Sequence, residues 1–173
     1  MSSPPPDAKR RQFDRQLKAI ARPELVARGF VFDGKRVFRR AIEFDGWTAV
    51  QIVEFQLGIK TLVGRFTGNV GVFAERFRPL DWQAADGAPR TYDCLPAMWK
   101  RLGYFFDEPR SWVASILGHS KPARGDYWWE QDSKEHKMAQ SLQSALACLR
   151  GEALPWLDLL SCEDAFKWVT VQV

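Results

Sequence analysis

Two periodicities alternate along this 173-residue chain, and the points where one gives way to the other mark its elements. Phe13, Leu17 and Ile20 recur at i, i+4 and i+7, which puts one apolar stripe on a helix, with Lys9, Arg10, Arg11, Arg15, Lys18 and Arg22 mostly off it. Asp7 stands where it can cap that helix. Pro23 has no N–H and clashes with the preceding turn, so it is expected to kink or restart the helix before Gly29 ends it. Period two then takes over. Arg36–Phe44, Trp47–Leu57 and Gly64–Phe73 read as strands, and Asp33-Gly34 and Asp45-Gly46 as hairpin turns of the kind that needs positive φ at both central residues. Trp47–Leu57 is apolar on both faces, as a central covered strand requires. Gly68 and Gly71 weaken their strand and imply a bulge or the close approach of another group.

The second half is more broken. Ala74–Pro96 reads as loop, with Phe77, Leu80 and Trp82 packing over the sheet. Met98–Phe106 reads as a fourth strand, ended by Asp107-Glu108-Pro109, and Ser111 begins a short helix that Gly118 ends. Tyr127-Trp128-Trp129 reads as an aromatic edge strand. Asp132-x-x-Glu135 has the form of a capping box, and Met138, Leu142, Ala145 and Leu149 give a helical stripe that stops at Gly151. Glu152–Leu160, with Pro155 in its first turns, is a further helix, and Ser161-x-x-Asp164 opens a last one ending near Val169. This order predicts an α+β fold: a disordered Ser/Pro tail at 1–6, then one domain over 7–173. Its core is a curved antiparallel sheet of about four to six strands, covered by the N-terminal helix and the C-terminal helices.

Composition changes this picture at few points. Eight Trp and twelve Phe supply large buried areas, and each indole N–H requires a partner or water. Residues 1–40 hold eleven Lys/Arg against four Asp/Glu, so +7, and residues 41–173 hold fourteen against seventeen, so −3, which sum to the +4 of the chain. The basic third reads first as a solvated helix face and a charged hairpin, and alternatively as a surface for a polyanion. Cys94, Cys148 and Cys162 are an odd set with no apolar leader before them, and no run nears the ~20 residues of a membrane span. A reduced, cytoplasmic setting is therefore expected, with no membrane partner.

Most catalytic chemistry lacks its residues. His119 and His136 have no Cys or carboxylate partner at ligand spacing, so no metal is expected. Cys94 stands beside Asp93, which disfavours its thiolate, and Cys148 reads as a small buried residue. No Gly-rich phosphate loop and no Gly-x-Ser-x-Gly elbow occurs, so no cofactor is expected. Asp126, Glu130, Asp132 and Glu135 read as helix capping and solvated charge before an acid/base pair. What remains is a polar set on the central strands. Gln51 shares a face with Val53 and Phe55, whereas Ile52, Glu54 and Gln56 share the other. If that second face is half open, Glu54, Gln56, Asn69 and Arg101 converge with Trp128 and Trp129 on a binding groove; if it is covered, the amides form a buried network.

An ordered set of short matches runs through the chain. It comprises Phe13-x-x-x-Leu17-Lys18, Gly29-Phe30, Phe38-Arg39-Arg40, Val50–Gln56, Phe66–Phe73, Cys94 followed by Arg101-Leu102-Gly103, Trp128-Trp129, and Leu154-Pro155-Trp156-Leu157. In this it resembles a bacterial family known only as domain-of-unknown-function family 4304. The resemblance implies a small single-domain bacterial α+β protein and no assigned reaction. The leading expectation is a non-enzymatic binding or interaction protein, of regulator or immunity type, that engages a protein or small ligand through its aromatic-rimmed sheet face. The alternatives are nucleic-acid binding through the basic helix and the Lys35/Arg36/Arg39/Arg40 hairpin, and a hydrolase or transferase using carboxylates.

Overall fold

The computed structural model describes residues 6–77, 87–105, 126–162 and 164–166. Leu80 and Trp82, the segment from Phe106 through the helix expected after Ser111, and the stretch towards Val169 lie outside the described residues. The chain starts with α1 (Pro6–Gln16), a π turn at Leu17–Ala21 and α2 (Arg22–Val26), one helical run in which Phe13, Leu17, Ala21 and Leu25 form the buried stripe. Pro23 neither ends nor restarts it. The Arg22 N–H reaches back five residues to the Leu17 carbonyl, and this wide turn accommodates a proline that cannot donate to the ladder. Gly29, at φ +85°, closes the run with both bonds of a Schellman motif, Gly29 N–H to the Val26 carbonyl at 2.9 Å and Phe30 N–H to that of Leu25 at 3.0 Å.

Six antiparallel strands are present among the described residues: β1 (Val31–Phe32), β2 (Val37–Phe44), β3 (Trp47–Leu57), β4 (Arg65–Phe73), β5 (Trp99–Arg101) and β6 (Trp129–Glu130). They are ordered β1-β2-β3-β4-β5, with β6 beside β5 on the same outer edge of β4. At the Asp45-Gly46 turn positive φ falls on Gly46 alone, so only the residue without a Cβ takes the left-handed conformation. The β1–β2 connection is wider, with Gly34 and Arg36 both at positive φ and the Asp33 carboxylate accepting from the Lys35 and Val37 amides at 2.7 and 3.2 Å.

The β3–β4 register runs in step from Val50↔Phe73 to Leu57↔Phe66, so the β4 glycines mark close approach and not a bulge. A Cβ on Gly71 would lie 2.8 Å from the Cys94 Sγ and 3.0 Å from the Trp99 Cβ, and one on Gly68 would lie 3.1 Å from Leu102. Those contacts also shorten the expected fourth strand. After Arg101 the chain coils into a 3-10 turn at Leu102–Tyr104, which drops Leu102 onto Gly68 and brings Gly103 against the Tyr127 backbone, 2.1 Å from where a Cβ would stand.

α3 (Glu135–Cys148), a second π turn at Leu149–Ala153 and α4 (Leu154–Leu160) form another continuous run, so Gly151 does not stop the helix. Glycine costs a helix about 1 kcal/mol, less than burying Leu149, Ala153, Leu154 and Leu157 returns. Again the wide turn directly precedes a proline, Pro155. The capping box does not form: Asp132 accepts the Lys134 amide at 2.7 Å instead, and Glu135 accepts from Gln16.

The helices α1 to α4 lie on one face of the sheet. There the Phe13 ring sits 4.8 Å from Phe66 and 6.4 Å from Phe55, alongside buried Met138, Leu142 and Leu146. The architecture is thus α+β, an open antiparallel sheet with the N-terminal helix and C-terminal helices packed against it. No helix among the described residues is long and apolar enough to cross a membrane. Among the described residues, the opposite face is covered in part by residues 87–98, which bury Thr91, Cys94 and Met98 against it.

Candidate functional site

Strict alternation divides the polar residues of β3 between the two faces. Gln51 points to the helices and is fully buried. Its Nε2 donates to the Leu157 carbonyl at 3.2 Å and the Ser161 hydroxyl at 2.6 Å, and its Oε1 accepts from the Arg40 Nε at 2.8 Å. Arg40 also donates to the Arg28 carbonyl and Asp158, so one amide and one guanidinium tie α4 and the end of α2 to the sheet.

Glu54 and Gln56 point the other way. Register places Glu54 opposite Asn69 on β4, and Asn69 opposite Arg101 on β5. These residues and Gln56 line one cleft of about 350 Å³ with Arg90, Thr91, Tyr92 and Trp99. Trp99 is 36% exposed and Tyr92 61% exposed. Glu54 is held from the covering segment: Arg90 Nη2 donates to its Oε1, and the Thr91 hydroxyl and amide donate to its Oε2 at 2.8 and 3.3 Å. Asn69 Nδ2 donates to Gln56 Oε1 at 3.0 Å. Arg101 Nη1 donates to Asp126, which also accepts from the Trp128 indole at 3.0 Å, and the Arg101 guanidinium lies 5.1 Å from the Trp128 ring centre. Four buried atoms in this arrangement, Asn69 Oδ1, Asp126 Oδ1 and the Nε of Arg90 and Arg101, have no hydrogen-bond partner among the described residues.

Of the six expected site residues, Glu54, Gln56, Asn69 and Arg101 line the cleft, and Trp128 stands behind Arg101. Trp129 is placed elsewhere. It pairs with Phe66, its ring 6.0 Å from that residue on the helix side, and its indole donates to Ser144 of α3. Consecutive strand residues face opposite ways, so Trp128 and Trp129 cannot share one groove. The aromatic rim is instead made by Trp99 and Tyr92, which sequence reasoning missed. Trp99 carried a usable signal, two residues before Arg101 on the same strand face; Arg90–Tyr92 carried none.

The other candidates are otherwise engaged. Asp126 serves Arg101, Asp132 an amide turn and Glu135 Gln16, while Glu130 is exposed. On the basic hairpin Arg36 makes a two-bond pair with Asp14 at 2.6 and 2.8 Å, Arg39 pairs with Asp33 at 3.0 Å, and Arg40 pairs with Asp158. Among the described residues no three His, Cys, Asp or Glu side chains cluster as metal ligands. Burial opposes ionisation of Asp33, but the Lys35 and Val37 amides and the Arg39 guanidinium outweigh it and hold its pKa below the ordinary 3.8. No protein-family model, no curated protein and no solved structure matches this chain.

Proposed function

We propose that this protein is a non-enzymatic recognition module that takes a small polar ligand, or a polar group of a partner, in the cleft on its open sheet face. The observation that carries this reading is the buried Asn69 Oδ1, which has no partner among the described residues and stands on a wall edged by two exposed aromatics. Buried polar atoms are nearly always satisfied, and aromatic walls with a few fixed polar groups are what small-molecule sites are made of. In this reading Glu54, held by Arg90 and Thr91, and Asp126, held by Arg101 and the Trp128 indole, serve as positioning groups. The reading includes a cytoplasmic setting and descent from the bacterial family that the chain resembles, and a regulator or immunity-type role suits both.

Side-chain NMR tests it. A library of small amides, imides and aromatics, titrated into the isotope-labelled full chain, is expected to shift the Asn69 amide, the Arg101 Nε–H and the Trp99 indole signals together, and Trp99→Ala to weaken that response. A folded protein in which no fragment moves these three signals refutes the reading.

A further inference from the structure

A second cleft, of about 320 Å³, lies between the first helical run and the β1–β2 connection and shares no lining residue with the sheet-face cleft. Arg10, Lys18, Lys35 and Arg36 line it against one carboxylate, Asp14, a formal balance of +3. Arg10 and Lys18 stand one helical turn to either side of Asp14, and neither makes a hydrogen bond or ion pair among the described residues. Asp14 accepts from the Arg36 Nε and Nη2 at 2.6 and 2.8 Å, while the Arg36 Nη1 makes no hydrogen bond among the described residues. Asp33 does not line the cleft; it fixes the loop by taking the Lys35 and Val37 amides and pairing with Arg39. The Arg36 backbone is left-handed, at φ +70°, and the Phe55 amide pins it by donating to its carbonyl at 3.0 Å. That conformation costs a residue with a Cβ at least as much as a part-exposed ion pair returns, so stability gives no reason for arginine where glycine would serve. A function for the guanidinium does.

We propose that this cleft binds a phosphate monoester, its phosphoryl oxygens met by the Arg36 Nη1 and the charged ends of Arg10, Lys18 and Lys35. Three features select that class. The first is charge: a monoester carries about −1.5 to −2 near neutral pH and offsets most of the cleft's excess, whereas a carboxylate or a phosphodiester carries a single charge. The second is pre-organisation. A guanidinium held in a fork by a carboxylate presents its remaining N–H groups in a fixed direction, and that geometry suits phosphate oxygens. The third is room for a carbon framework. The cleft is larger than a bare phosphate needs, and buried Leu17 and half-buried Phe32 line it, Phe32 stacked on Phe38 at 4.7 Å between ring centres. This assignment is independent of the sheet-face cleft, and the two fail separately.

The test titrates the isotope-labelled full chain, at constant ionic strength, with inorganic phosphate, phenyl phosphate, dimethyl phosphate and acetate, following the Arg36 Nε–H and the Gly34 and Lys35 amides by NMR. Phosphate and phenyl phosphate are expected to shift all three saturably, with dimethyl phosphate and acetate weaker by about tenfold or more. Arg36→Gly, which suits the positive φ, and the exposed pair Arg10→Ala with Lys18→Ala are each expected to weaken phenyl phosphate by about tenfold while keeping a native backbone spectrum. Two further arms identify the carrier. A hexose phosphate that binds more tightly than inorganic phosphate marks a soluble ester, and co-sedimentation with phosphatidylcholine vesicles containing phosphatidic acid marks a lipid headgroup. Equal response to phosphate and dimethyl phosphate, undiminished binding by both variants, or no saturable shift overturns the proposal. So does a single-stranded oligonucleotide without terminal phosphates that binds more tightly than every monoester, since it marks a phosphodiester surface.

Discussion

Replacing Gln51 with Met keeps the side-chain length and removes every hydrogen bond that Gln51 makes. The losses are an acceptor for the Arg40 Nε at 2.8 Å and donors to the Leu157 carbonyl at 3.2 Å, the Asp158 carboxylate at 3.3 Å and the Ser161 hydroxyl at 2.6 Å, all on a side chain with no exposure. A neutral bond of this kind contributes about 1 kcal/mol and one to a charged group about 1.5–3 kcal/mol. Compensation lowers the total, because Arg40 keeps the Arg28 carbonyl and Asp158, and the Leu157 carbonyl keeps the Ser161 hydroxyl. The net expectation is a loss of about 2–4 kcal/mol, or roughly 5–15 °C in melting temperature for a chain of this size. Gln56→Met breaks one bond on a half-buried residue and is expected to cost under about 1 kcal/mol. Urea unfolding followed by tryptophan fluorescence and far-ultraviolet circular dichroism measures both, provided that the two transitions coincide. A Gln51→Met protein within about 0.5 kcal/mol of wild type, or a Gln56→Met protein destabilised as much as Gln51→Met, refutes the division of labour between the two faces.

Asp33 sets a pH dependence whose sign follows from its lowered pKa: the folded state favours the ionised form, so its contribution is present above the unfolded-state value near 3.8 and is lost as pH falls through the lower folded value. The stability gap between wild type and Asp33→Asn should therefore be flat from neutral pH down to about pH 4 and close below it, as measured by unfolding at stepped pH. Two glycines should respond oppositely to alanine in thermal melts. Gly103→Ala, whose Cβ would stand 2.1 Å from the Tyr127 carbonyl oxygen, is expected to lose about 3 kcal/mol or more, whereas Gly151→Ala, in the second π turn with nothing within 4 Å, is expected to be neutral or to gain up to about 1 kcal/mol.

The central strands were readable in the sequence because a period of two is rigid. Once Trp47–Leu57 is a strand, Gln51 must oppose Glu54 and Gln56, and pairing then carries Asn69 and Arg101 onto the cleft face. The same rule, applied to Trp128 and Trp129, separates them. The helix ends were less readable. Gly151 and Pro23 are breakers by local propensity, but a propensity of about 1 kcal/mol yields to the burial of a leucine stripe, and a π turn has no signature in one sequence. Asp132 and Glu135 have capping-box spacing, yet an aspartate also satisfies an amide two residues on, and that local bond is the one formed. Arg90 and Thr91 were invisible for a different reason. They reach Glu54 from a segment far along the chain that has no periodicity, so only tertiary structure brings them into the cleft.

Two buried amides on the central strands, Gln51 and Asn69, are matched differently. On the helix side the Gln51 amide is matched at both ends, as a purely structural amide must be. On the cleft side Asn69 uses its donor and leaves its acceptor buried without a partner among the described residues, and Arg101 donates through Nη1 while its Nε–H has none. A side chain selected only to hold the sheet has a cheaper form at that position, since a valine on the neighbouring residue, Val70, packs with no polar atom to satisfy. Stability alone thus does not account for the amide at Asn69. A polar partner in the cleft, as proposed above, would meet the buried Asn69 Oδ1 beside the exposed ring of Trp99.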